Sequence, residues 1–99
     1  MKFNQKTDNL FKAILSLEST KEAEKFFRDL CTVEELEDMT DRWEIAQLLN
    51  KSISYREIAK KVGTSTTTVS RVANWLNNGK GGYRLILDRL HHVNSSSTE

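Results

Sequence analysis

A chain of 99 residues with 37% hydrophobic side chains, 29% charged ones and no proline has the size of one compact domain and the makeup to form several helices. That charge density excludes a membrane span, and Met1-Lys2-Phe3-Asn4-Gln5-Lys6 lacks the apolar stretch of a signal peptide. The net charge of +1 points to no partner by itself, and the lone Cys31 allows no intrachain disulfide, which fits a reducing cytoplasm.

Residues 1–6 are polar and expected to be disordered. Helical periodicity begins with Leu10, Phe11, Ile14, Leu15 and Leu17, which predicts a helix from Asp8 to Leu17. Ser19 followed three residues later by Glu22 is a capping box, in which a hydroxyl takes an orphan amide and a carboxylate reaches back. It opens a second helix with Ala23, Phe26, Phe27 and Leu30 on one face. Thr32 and Glu35 repeat the device for a longer helix through Leu49, whose Leu36, Met39, Trp43, Ile45, Ala46, Leu48 and Leu49 spread beyond one stripe. A helix packed on two sides needs that spread.

Asn50 to Ser54 links this helix to a helix-turn-helix. Ser54 and Glu57 form a third box, Ile58, Ala59 and Val62 form an apolar face, and Gly63 stands where the first short helix must stop. Thr64 or Ser65 can cap the second helix, which carries Val69, Val72, Ala73 and Leu76 at helical spacing and ends at Asn78-Gly79. Its other face holds Thr66, Thr67, Ser70, Arg71 and Asn74. Hydroxyl side chains there let a backbone approach closely, and a helix N-terminus favours phosphate. The same pattern would serve a Thr/Ser-rich surface helix that needs only caps. Small Ala59, turn Gly63 and the matched apolar spacing favour DNA recognition.

Charge is distributed unevenly. From Glu18 to Glu44 there are ten acids and four bases, a net of −6; from Lys51 to Arg84 there are seven bases and one acid, a net of +6. The basic block coincides with the helix-turn-helix, where a phosphate-binding surface would lie. Lys80-Gly81-Gly82 is a flexible joint before a last helix from Tyr83 to Val93, and Asn94 to Glu99 is a polar tail expected to be disordered. The expectation is therefore a single all-α domain of six helices, with no metal or cofactor. Wide apolar surfaces on the first three helices and the last suggest burial against a second copy, although an ordinary monomeric bundle would also carry imperfect stripes. A two-fold homodimer would set two recognition helices roughly 34 Å apart, in successive major grooves of double-stranded DNA at a palindromic site.

From Thr32 to Leu90, more than half of the chain, the sequence resembles the Trp repressor family, especially its YerC/YecD-type branch. The resemblance rests on Thr32-Val-Glu-Glu35, Ile45-Ala-Gln-Leu-Leu49, Ser54-Tyr-Arg-Glu-Ile58, Val62-Gly63, Thr68-Val-Ser-Arg71 and Asn74. It implies an intertwined homodimeric transcriptional regulator. Arg56 matches a family position that contacts DNA, with Lys60 and Lys61 as phosphate contacts and Lys51 and Tyr55 nearby. The family's co-repressor site matches Thr32, Asp41, Arg71, Val72 and Trp75, but Asp41 stands where an arginine is needed (Arg42 is adjacent). Val72 and Trp75 stand where small residues make room for an indole. The expectation is that Val72 and Trp75 fill the slot and Arg71 pairs with Asp41, so that L-tryptophan does not control the protein. Any other small-molecule effector is unknown.

Two other classes compete. Adjacent His91 and His92 face different sides of a helix, Cys31 has no histidine near it in sequence, and no phosphate-cradling glycine motif exists, so catalysis is not expected. A protein-interaction adaptor that uses the acidic block and does not bind DNA specifically is the alternative to the regulator.

Overall fold

The computed structural model describes residues 1–97, with side chains through His91. They form six helices: α1 (Gln5–Leu15), α2 (Thr20–Leu30), α3 (Val33–Asn50), α4 (Tyr55–Val62), α5 (Thr66–Asn78) and α6 (Gly82–Ser97). No strand occurs among the described residues, so the fold is all-α as periodicity predicts. No helix among them is long and apolar enough to cross a membrane.

The helix ends follow from local chemistry, with three departures from expectation. Helix α1 starts at Gln5, before the expected Asp8, because Asn4 and Thr7 form a capping box: the Thr7 amide donates to Asn4 Oδ1 at 3.0 Å and the Asn4 amide to Thr7 Oγ1 at 2.8 Å. Helix α6 continues past Val93 through Ser97, so part of the expected tail is helical; the rest of it, like the side chains from His92 onward, lies outside the described residues. In α2 the Glu22 amide donates to Ser19 Oγ at 3.1 Å, but the Glu22 carboxylate accepts from the Glu18 amide, one residue early.

The box that opens α3 is reciprocal. The Thr32 amide donates to Glu35 Oε1 at 2.8 Å and the Glu35 amide to Thr32 Oγ1 at 3.1 Å. Hydrogen bonding to Thr32, to its backbone amide first and its side chain second, holds the Glu35 carboxyl below its ordinary range. A depressed carboxyl adds stability that is present above its unfolded pKa and is lost as pH falls through the folded value. We therefore expect Glu35→Gln to narrow the stability difference between about pH 7 and about pH 3, as read from urea midpoints at the two pH values.

The chain divides into two compact units, Met1–Glu37 and Asp38–Glu99. The first holds α1, α2 and the start of α3. No residue of it is buried, and Phe11, Leu15 and Leu30 are exposed even though rings pair locally, Phe3 with Phe11 at 5.9 Å and Phe26 with Phe27 at 5.8 Å. So short a segment cannot bury enough apolar surface to be stable by itself.

The second unit has a true core. Ile45 and Ala46 of α3, Ile58 and Ala59 of α4, Val69, Val72 and Leu76 of α5 and Leu87 of α6 are buried together. Trp43, Leu48, Leu49, Ile53, Val62 and Tyr83 pack against them, with Trp43 and Tyr83 stacked at 6.3 Å. Arg84 Nη1 donates to Asn50 Oδ1 at 2.8 Å and ties α6 to the end of α3. Between α4 and α5, Gly63 has φ +80°, a left-handed conformation that a side chain would strain. Its amide and that of Thr64 both bond the Ala59 carbonyl, closing α4. The core thus fixes the angle at which α5 leaves the turn.

Candidate nucleic-acid interface

Apolar residues at Val69, Val72, Ala73 and Leu76 turn one side of α5 into the core and leave Thr66, Thr67, Ser70, Arg71 and Asn74 on the other. The helix is capped by Ser65, whose Oγ accepts from the Thr68 amide at 3.2 Å; of the two candidate caps, Ser65 is the one used. The outer residues, with Tyr55 of α4 and Trp75 of α5, line an open groove of about 630 Å³. Tyr55 and Trp75 are 44% and 47% exposed, so the groove is flanked by two aromatic rings that the core does not absorb.

The groups in this groove are largely free to bond something else. Among the described residues, the side chains of Tyr55, Thr66, Thr67, Ser70 and Arg71 have no hydrogen-bond or ion-pair partner. Asn74 differs: its Oδ1 accepts from Asn78 Nδ2 at 3.0 Å, which leaves its amide hydrogens outward. Ser54 and Ser65 spend their oxygens on capping, the Glu57 amide reaching Ser54 Oγ at 3.3 Å, so they can offer backbone amides more readily than hydroxyls. The reciprocal half of the Ser54 box is not formed.

Lys51, Arg56, Lys60 and Lys61 are exposed, and none of them forms an ion pair among the described residues. Arg56, Lys60 and Lys61 lie on α4 and Lys51 just before it. Unpaired cations next to a groove of unpaired hydroxyls form a surface suited to a polyanion with readable edges.

Thr64 does not line this groove. It faces a second cavity of about 260 Å³ with Asp38, Asp41, Arg42, Thr68, Arg71 and Trp75. Three of the degenerate co-repressor positions, Asp41, Arg71 and Trp75, fall here, and the structure corrects one expectation about them. Val72 is fully buried in the core, and Trp75 is among the residues that line the cavity. Arg71 and Asp41 line the same space but form no ion pair. Thr32, expected near a ligand amine, caps α3. Asp38, a second carboxylate facing the cavity, was not among the sequence candidates; its position three residues before Asp41 on one helix was the available signal. The Asn74–Asn78 bond was likewise readable as an i, i+4 pair.

The chain is similar in sequence and fold to known proteins. The family model described as Trp repressor protein matches residues 5–91. The protein YerC of Bacillus subtilis (strain 168) is 40% identical over 91 residues, 92% of this chain and 88% of its own. A Trp operon repressor homolog of Xylella fastidiosa (strain M23) is 36% identical over 74 residues, 74% of this chain and 80% of its own. The crystal structure of a TrpR like protein from Eubacterium eligens ATCC 27750 superposes with a TM-score of 0.86 at 43% identity, covering 89% of this chain and 91% of that one.

Proposed function

Because the chain belongs to the Trp repressor family, we propose that it is a sequence-specific DNA-binding transcriptional regulator. In this reading it is a cytoplasmic repressor that acts as a homodimer on a palindromic operator. The family is regulatory rather than enzymatic. The observation that carries the reading is the outer face of α5: five polar side chains in an open groove, all but Asn74 without partners among the described residues, beside four cations that form no ion pair among them.

The dimer rests on a different observation. The unit Met1–Glu37 buries no residue, yet its helices carry Phe11, Leu15 and Leu30 on apolar faces. A second copy supplies the missing cover at no cost in new sequence. Two copies related by a two-fold axis then place two α5 helices in major grooves roughly 34 Å apart.

L-tryptophan is not the effector in this reading. Two carboxylates, Asp38 and Asp41, line the cavity and offset the charge of its two arginines, Arg42 and Arg71, and the Trp75 indole already stands at its wall. Calorimetric titration of the full chain with L-tryptophan should give no heat of binding; a micromolar isotherm would overturn this part.

The function itself is tested by fluorescence anisotropy on duplexes selected from a random pool, at two salt concentrations. Binding with two chains per duplex, weakened by Arg56→Ala and Thr67→Ala, is the expected result. No binding to any duplex at low salt, with the fold intact by circular dichroism, would favour an adaptor that binds protein.

A further inference from the structure

The groove on α5 carries a specific limitation in what it can read. Ser and Thr hydroxyls both donate and accept, so they pair with almost any base edge and discriminate little. Arg71 is the sole guanidinium in the groove, and it also borders the cavity that holds Asp38 and Asp41. Asn74 has its oxygen engaged by Asn78, and the paired donor and acceptor that an asparagine presents to adenine is thereby compromised. Hydrogen bonding from the hydroxyls of this face is therefore permissive, whereas the Arg71 guanidinium, without an ion pair among the described residues, remains able to read guanine.

The part of Thr66 and Thr67 that is not permissive is the methyl group. Both residues are exposed in the first turn of α5, and their hydroxyls are not used for capping, which falls to Ser65. In a helix-turn-helix, the first turn of the second helix reaches deepest toward the base edges. The only apolar feature on a base edge in the major groove is the C5-methyl of thymine.

We propose that Thr66 and Thr67 read thymine through methyl-to-methyl contact, and that this contact discriminates bases where the hydroxyls do not. The inference rests on the DNA-binding reading above and narrows it to a substrate class: operators whose half-sites place thymine under the start of α5. Removing one such contact should weaken binding about fourfold, the equivalent of ~0.8 kcal/mol for one buried methyl-sized group.

The test replaces each thymine of a selected duplex by deoxyuridine, which lacks only that methyl, and measures affinity by anisotropy for the full-length protein and for Thr66→Ser and Thr67→Ser. These variants keep the hydroxyl, and circular dichroism checks that helix content is unchanged. At least one deoxyuridine position should weaken wild-type binding about fourfold, and the same substitution should cost the matching serine variant nothing further. A selected half-site without thymine, uniform tolerance of deoxyuridine, or losses that simply add in both variants would overturn the inference while leaving specific DNA binding standing. Failure to select any duplex would overturn both.

Discussion

Replacing Arg56, Lys60 and Lys61 together by alanine should weaken binding to every duplex, specific or not, by about a hundredfold or more at 0.1 M salt. The physical cause is counterion release. Each phosphate neutralised by a cation frees condensed ions, and the logarithm of affinity falls with the logarithm of salt by about 0.9 per contact. Three contacts in each of two protomers would remove as much as about 5 from that slope. All three side chains are exposed and none is engaged in an ion pair, so their loss leaves no buried partner unsatisfied and the fold should be unaffected. Affinity measured between about 50 and 200 mM salt checks this. An unchanged slope would mean that α4 does not face the duplex backbone. Thr67→Ala should behave differently, losing affinity on the selected sequence with the slope preserved, because the contact proposed for it is to a base edge.

Truncating Ile58 to alanine should lower the unfolding free energy by about 2–5 kcal/mol. Ile58 is fully buried and belongs to the one core cluster shared by α3, α4, α5 and α6. The lost methyl and methylene groups forfeit their transfer energy and leave a cavity among branched side chains that relax little. A small domain has only about 5–15 kcal/mol in total, so this is a large share. Since the core sets the direction of α5, DNA affinity should fall with stability even though Ile58 touches no ligand. Urea unfolding of the variant, with the chain concentration held fixed, gives the measurement. A loss below about 1 kcal/mol would indicate that the site collapses easily and that α4 is not locked to α5 as described.

Much of this was legible in the sequence, and the exceptions have physical reasons. Gly63 was readable because a helix ending in the left-handed region selects glycine, and its φ of +80° agrees. The Thr32–Glu35 box was readable because both halves of the reciprocal bond are encoded at fixed spacing. The start of α1 was missed because its box uses Asn4 and Thr7, outside the usual hydroxyl-and-acid pattern. Ser65 over Thr64 could not be chosen from composition: both carry hydroxyls, and the turn that closes α4 decides which residue is in register with α5.

Val72 is the most instructive case. Its spacing with Val69, Ala73 and Leu76 already marked it as core, and the core is where it lies. Arg71 and Asp41 show the converse limit. Sequence brought them to one cavity, but the separation of side chains on different helices depends on packing that no spacing rule encodes.

The central claim is that the outer face of α5 lies inside a duplex. Nuclear magnetic resonance titration of the isotope-labelled full chain with a selected duplex tests it most directly. At saturation, the largest shift changes should fall on Thr66, Thr67, Ser70, Arg71 and Asn74, with Arg56 and Lys60 next. Were those resonances to stay in place while signals between Glu18 and Glu44 moved, the duplex would be contacting another surface and the account would be contradicted.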